Sequence, residues 1–222
     1  MTALKASREF KSPNFLPTVI PVEFLIIHYT ACDLDKTMEI FTDPTSKVAA
    51  HFVVAEDGRC FDLGGFRNDR ILKGAHAGNS RLDLGGQNYE AFNEFSVGVE
   101  LVNLNGNLFE FTELQYESLC KLIRELQNLF PALKDASRII GHEHIAGWRG
   151  KSDPGVKFDW VRLFDSLGPA RQGTHQTHAC TKEDIEFLES SVKLRNPINN
   201  DPDFWPSLNE ALEKRIANRV KQ

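Results

Sequence analysis

Long hydrophobic runs are missing from the 222 residues: none approaches 18, so no segment is long enough to span a bilayer as a helix. Also missing is the apolar core of a secretory signal. The chain opens Met1-Thr2-Ala3-Leu4-Lys5-Ala6-Ser7-Arg8-Glu9, with no such core. The expectation is a soluble cytoplasmic protein, which would reach a periplasm or cell wall only by a non-classical route. Basic residues are not in excess, since 26 Lys and Arg stand against 31 Asp and Glu, a formal net charge of −5. Nucleic acid is bound through phosphates by clustered Lys and Arg, so neither a nucleic-acid nor a membrane partner is expected. Cysteine is sparse: Cys32, Cys60, Cys120 and Cys180 include no CxxC pair and match no zinc-finger spacing. Without an export signal they read as reduced thiols packed as small hydrophobes. No internal repeat or low-complexity tract is present.

A chain of this length suits one domain, or one domain with an appendage, and buries about 70% of its unfolded surface without needing a disulfide or metal merely to fold. It divides into a loose lead-in over residues 1–20, punctuated by Pro13 and Pro17, a main domain over 21–168, and a C-terminal helical extension over 169–222. Val22 to Ile27 is β-rich and stops at His28, the pattern of a strand with a polar residue at its C-terminal end. Asp33 to Phe41 predicts a short helix, ended before Pro44. His51 to Val54 and Cys60 to Leu63 flank Asp57-Gly58, a positive-φ pair suited to a hairpin. Residues 64–94 are rich in Gly, Asn and Asp and read as a long irregular functional loop. A strand follows at Phe95 to Leu101. Thr112 and Gln115 form a capping box for a helix whose Leu119, Leu122, Ile123, Leu126 and Phe130 recur at helical spacing up to Pro131. Arg138 to Gly141 predicts another strand, ending at His142. After Gly168-Pro169 a polar linker runs to His178. Two helices are then expected, one capped by Thr181 with Asp184 and one by Ser207 with Glu210. The second carries a stripe of Leu208, Leu212, Ile216 and Val220, which is expected to pack on the main domain. Strands mixed with a long packing helix make the fold class α/β.

Chemistry concentrates at the strand ends. His28 and His142 each close an apolar strand, and Asp153 follows His142 by eleven residues, held in extended backbone by Pro154. Two imidazoles and a carboxylate form the ligand set of an open catalytic zinc site. Singly, each has an ordinary reading, a hydrogen-bonded core histidine or a turn-forming aspartate. Glu100 lies in Ser96-Val97-Gly98-Val99-Glu100-Leu101, where alternation sets it with Ser96 and Gly98, small residues that leave room for a ligand. Either this is an exposed sheet face, or Glu100 is a general base beside an activated water.

Five motifs in order sharpen the choice: His28-Tyr29-Thr30-Ala31; His51-Phe52-Val53-Val54 with Asp57-Gly58; Ala75-His76-Ala77-Gly78; Ser96 to Leu101; and Gly141-His142-Glu143-His144-Ile145-Ala146 with Asp153-Pro154-Gly155. Together, over about residues 20–165, they resemble the type-2 N-acetylmuramoyl-L-alanine amidases, the AmpD-like and peptidoglycan-recognition-protein family. The resemblance implies a central mixed sheet flanked by helices, one zinc ion per chain, and hydrolysis of the amide between N-acetylmuramic acid and L-alanine. By motif, His28, His142 and Asp153 correspond to the zinc ligands, Glu100 to the carboxylate that handles the water proton, and Lys151 to a cation near the scissile carbonyl. His76 corresponds to a residue lining the substrate cleft. The implied partners are peptidoglycan fragments, the muramoyl-peptides of wall recycling; a wall-lytic amidase and a non-catalytic binding module are the rival settings. Three departures stand out. Ala75 replaces an aromatic residue, His144 stands where relatives carry Asp, and Gly147-Trp148-Arg149-Gly150 is about one residue longer than in close relatives. On a strand, His144 would point the same way as His142, and it is expected to be structural or to lie behind the ligands.

Overall fold

Phe24, Leu25, Ile26 and Ile27 are fully buried, so their strand must be covered on both faces, and the rest of the fold supplies the covers. The protein, seen as a computed structural model, is described for residues 6–168, 178–195 and 203–221. In chain order, β1 (Val19–Ile20) and β2 (Phe24–Tyr29) precede helix α1 (Leu34–Thr42). Then come β3 (Phe52–Val54), β4 (Cys60–Asp62), β5 (Phe66–Arg67), β6 (Arg70–Leu72), β7 (Arg81–Leu84), β8 (Gln87–Glu90) and β9 (Ser96–Leu101). Helix α2 (Glu113–Leu129), strand β10 (Ile139–Gly141), and helices α3 (His142–Ala146), α4 (Trp160–Leu167), α5 (Lys182–Arg195) and α6 (Phe204–Val220) complete the chain. The central sheet has the order β10-β2-β9-β3-β4. Its first four strands are parallel, and β4 returns antiparallel to β3. The expected mixed sheet with flanking helices and a helical C-terminus is what the chain forms.

Alternation sorts the side chains. Leu25, Ile27, Val97, Val99 and Leu101 share a cluster with Leu119, Ile123 and Leu126 of α2. Each of those three helix residues is fully buried, worth about 1.5–3 kcal/mol apiece. Phe24 and Ile26 face the other way, onto Phe92, Ile140 and Ile145. His28 is next in that second row. The capping box of α2 forms as expected: Thr112 Oγ1 accepts from the Gln115 N–H at 3.1 Å, and Gln115 Oε1 accepts from the Thr112 N–H at 3.0 Å. Thr181 and Asp184 cap α5 in the same reciprocal way. All four cysteines are free thiols.

Several expectations are corrected. The stretch 64–94 is not irregular but folds two tight hairpins, β5–β6 and β7–β8. Asn68-Asp69 and Gly85-Gly86 occupy their two-residue turns, all four at positive φ, the geometry that matches strand twist. The lead-in is not loose from residue 6 on. Ser7 bridges Phe61 in parallel, Arg8 pairs with Asp62 at 3.1 Å, and β1 pairs with β6. Helix α6 begins at Phe204 rather than Ser207, because Pro206 is tolerated in a first turn and the buried Phe204 anchors the start. Within the stripe, Leu208, Leu212 and Ile216 are buried while Val220 is exposed. The expected linker over 169–177 lies outside the described residues. No helix among the described residues is long and apolar enough to cross a membrane.

Candidate metal centre and active site

His28 ends β2 and His142 opens α3, the helix that follows the neighbouring strand β10. The parallel register brings both strand ends to one edge of the sheet, and it sets His28 directly beside Glu100 of β9. Asp153 arrives on a loop tied down by its own carbonyl, which accepts the Glu143 N–H at 2.9 Å. His28 Nδ1 lies 2.9 Å and His142 Nδ1 3.0 Å from Asp153 Oδ2, and the two nitrogens are 3.1 Å apart. One ligand atom from each residue fits within a 4.8 Å span, and all three side chains are buried.

The outer edges of the rings decide what those inner atoms can do. His142 Nε2 meets two groups of opposite kind, the Ala77 carbonyl at 3.2 Å, an acceptor, and Arg149 Nη2 at 3.0 Å, a donor. His28 Nε2 is 3.2 Å from His76 Nδ1, and His76 Nε2 is 3.3 Å from the Ser96 carbonyl. Read outward from Ser96, this relay lets a proton sit on the Nε2 of His76 and of His28, the tautomer in which His28 would present Nδ1 to a metal. Without a metal, protons shared between the two Nδ1 atoms and Asp153 hold the three together, and a cation would take their place. Two imidazole nitrogens and one carboxylate oxygen make an N,N,O donor set, the donor chemistry of zinc. The residues therefore fit the group that the sequence implies.

Electrostatics agree. Burial pushes the His28 pKa down to about 4, which keeps the ring neutral. Burial alone would raise the pKa of Asp153, but His142 and His28 beside it outweigh that, and the carboxyl stays well below its usual range. Burial, reinforced by the negative Asp153, lifts Glu100 to about 8. Glu100 Oε2 is buried with no hydrogen-bond partner among the described residues, so the carboxyl is held in reserve beside the cluster rather than consumed by a structural contact. Lys151 opposes both shifts on Glu100 and lowers His28 as well, which sets its charge within reach of the cluster. Its Nζ is ion-paired with Glu213 of α6.

The remaining expected residues fall as follows. His76 packs on bare Gly98, where a Cβ would come within 2.5 Å of its Cγ. The room that the small residues leave is thus filled by this ring, and its polar edges bear on His28 and Ser96. His51 is a core residue, accepting the Gly98 N–H at Nδ1 (2.9 Å) and meeting the Leu72 carbonyl at Nε2 (2.8 Å). His144 does not share a direction with His142, because both lie on α3 rather than on a strand. Two residues apart on a helix they diverge by about 200°, and His144 Nδ1 accepts the Gly141 N–H at 2.8 Å instead. Sequence reasoning missed Arg149, whose Nη2 is 3.0 Å from His142 Nε2 and 2.9 Å from the Ala77 carbonyl, with Nε donating to the Asn79 carbonyl. Only its place in the lengthened stretch before Lys151 could have drawn notice. Tyr29 and Asn209 of α6, joined at 2.6 Å, were missed as well. A cavity of about 620 Å³ against α2 and β4, lined by Arg59, Cys60 and Lys121 among others, includes none of the cluster residues.

A family model described as N-acetylmuramoyl-L-alanine amidase matches residues 18–156. The 1,6-anhydro-N-acetylmuramyl-L-alanine amidase AmpD of Haemophilus influenzae is 32% identical over 181 residues, 72% of this chain and 91% of that protein. Among solved structures, a selenomethionine derivative of AmpD superposes with a TM-score of 0.56 at 25% identity, covering 74% of this chain and 96% of that one. AmiD of E. coli, solved with the substrate anhydro-N-acetylmuramic acid-L-Ala-D-γ-Glu-L-Lys, shares the fold at a TM-score of 0.57 and 21% identity, covering 86% and 73%.

Proposed function

The chain belongs to the N-acetylmuramoyl-L-alanine amidase family, and from that premise we propose that it is a zinc enzyme that cleaves soluble anhydromuramoyl-peptides in peptidoglycan recycling. One observation carries the reading. The Nδ1 atoms of His28 and His142 converge with Asp153 Oδ2, and among the described residues the buried Oε2 of Glu100 beside them has no hydrogen-bond partner. A non-catalytic binding module has no use for that reserve. The names of AmpD and of the AmiD complex support the substrate class. The catalytic residues fall within 21–168, with 169–222 as an added helical extension.

His28, His142 and Asp153 would hold one zinc ion. When bound, it supplies Lewis-acid chemistry, polarising the amide carbonyl, acidifying a water and favouring the ionised form of Glu100. Glu100 takes the proton of the attacking water and delivers it to the leaving L-alanine nitrogen. Lys151 sets a positive charge where the carbonyl oxygen becomes an oxyanion. His76 holds His28 by its outer nitrogen, and Arg149 braces the Ala77 carbonyl that fixes His142.

The test separates base from ligand. Glu100→Gln is expected to keep one zinc per chain while the rate falls roughly 10²–10⁴-fold, the range for a lost general base. Near-normal turnover with zinc bound would remove Glu100 from the mechanism.

A further inference from the structure

Lys151 does not stand alone at the rim of the site. Its ion-pair partner, Glu213, comes from α6, outside the matched stretch 18–156. A lysine side chain loses considerable rotamer freedom when held in one place, and Lys151 is only 26% exposed at its side chain, so a partner fixed on a rigid element decides where its charge sits. Glu213 is so fixed. One turn earlier on the same helix face, Asn209 is buried, and its Oδ1 accepts from the Tyr29 hydroxyl at 2.6 Å and from Asn105 Nδ2 at 2.9 Å. Its Nδ2 donates to the Leu104 and Trp205 carbonyls. All its polar atoms are used, and Tyr29 adjoins His28, so the register of α6 is pinned to the strand that carries a proposed ligand.

A second contact, independent of these side chains, points the same way. Gly150, immediately before Lys151, has φ +106°, and a Cβ there would come within 2.1 Å of the Glu213 carbonyl. The lengthened stretch ending at Gly150 thus presses backbone to backbone against the turn of α6 that carries Glu213. Loop and extension are shaped to each other at the residue next to Lys151.

We propose that Glu213 is a positioning residue for the amidase reaction, holding Lys151 in place from the C-terminal extension, so that α6 is a working wall of the active site rather than an appendage. The inference rests on the role given to Lys151 above. Glu213 touches neither reacting atom; it acts through the lysine.

The test is steady-state kinetics on a soluble muramoyl-peptide with the zinc-loaded full chain. Wild type is compared with Glu213→Gln, Glu213→Asp, Lys151→Met and the double variant Lys151→Met/Glu213→Gln, with zinc content and melting temperature measured for each. Glu213→Gln is expected to lower kcat by roughly tenfold to 10²-fold, the scale of a displaced catalytic group. KM should stay within about twofold with zinc unchanged, and Glu213→Asp should restore part of the rate. In the Lys151→Met background Glu213→Gln should cost nothing further, within about twofold, since coupled residues are non-additive. An equal loss in both backgrounds, no loss in either, or a gain in kcat would overturn the proposal. So would loss of zinc or of thermal stability in Glu213→Gln, which would make the residue structural. Failure of the underlying reading looks different: Lys151→Met itself would run at the wild-type rate with zinc bound.

Discussion

Glu100 Oε2 is buried in the sheet with no hydrogen-bond partner among the described residues, and that has a measurable consequence in metal-free protein. Its folded pKa of about 8 lies above the ordinary 4.5. Between those values the folded state keeps a proton that the unfolded chain has released, so this group makes stability fall as pH rises from 4.5 through 8. The size is on the order of a few kcal/mol, at about 1.4 kcal/mol per unit. His28 and His51 act in the opposite sense. Burial lowers each from 6.5 to about 4, so their contribution is lost as pH drops through that window. Comparing urea midpoints of metal-free wild type and Glu100→Gln cancels the histidines. The variant should gain on wild type as pH goes from 5 to 8.5, and parallel curves would contradict the raised pKa of Glu100. At this scale the sequence was legible where a side chain serves the site by its own position. His28 ends a strand, His142 directly follows one, Asp153 precedes a proline and Glu100 lies on an alternating face, and the structure brings the four together. Arg149, Asn209 and Glu213 act through partners up to 180 residues away in the chain, as Asn209 does on Tyr29, and no local pattern announces such a contact.

Among elements, the informative one is α6. Leu212 is fully buried in a cluster with Leu188, Cys180, Leu208 and Ile216, against which Leu108 and Val156 of the main domain pack. Leu212→Ala is expected to lower the free energy of unfolding by roughly 2–5 kcal/mol, as for other large-to-small core changes. Urea melts read this directly, and a cost below about 0.5 kcal/mol would mean that the extension adds little to the whole. Glu143 ties the preceding segment down as well, accepting from the Ala179 N–H at 2.9 Å and facing His178 at 3.0 Å. Helix α2 was readable because its capping box is followed by apolar spacing over several turns, and α5 from the Thr181–Asp184 cap alone. The hairpins of 66–72 and 81–90 were not, since strands of two to four residues are too short to establish a period. For α3 the apolar lead-up through Ile139 and Ile140 is strand, and the helix that begins at His142 spans only five residues, too few for its period to show.

At the scale of the molecule, charge and architecture bear on the substrate. A net charge of −5 offers no attraction toward an anionic wall, and the extension packs beside Lys151 and Gly150 rather than forming a separate basic module. The protein is therefore expected to release stem peptide faster from soluble muramoyl-peptides than from intact sacculi at equal enzyme concentration. Faster digestion of sacculi would favour a wall-lytic role. The central claim is that His28, His142 and Asp153 hold a zinc ion on which amide hydrolysis depends. The most direct measurement is mass-spectrometric detection of the free peptide released from anhydro-N-acetylmuramoyl-L-Ala-D-γ-Glu-L-Lys by the protein as purified, after chelation, and after zinc is returned. The account predicts cleavage between sugar and L-alanine, loss on chelation, and recovery with about one equivalent of zinc, with no recovery in His142→Ala. Undiminished cleavage by the chelated protein, or by His142→Ala, would contradict it.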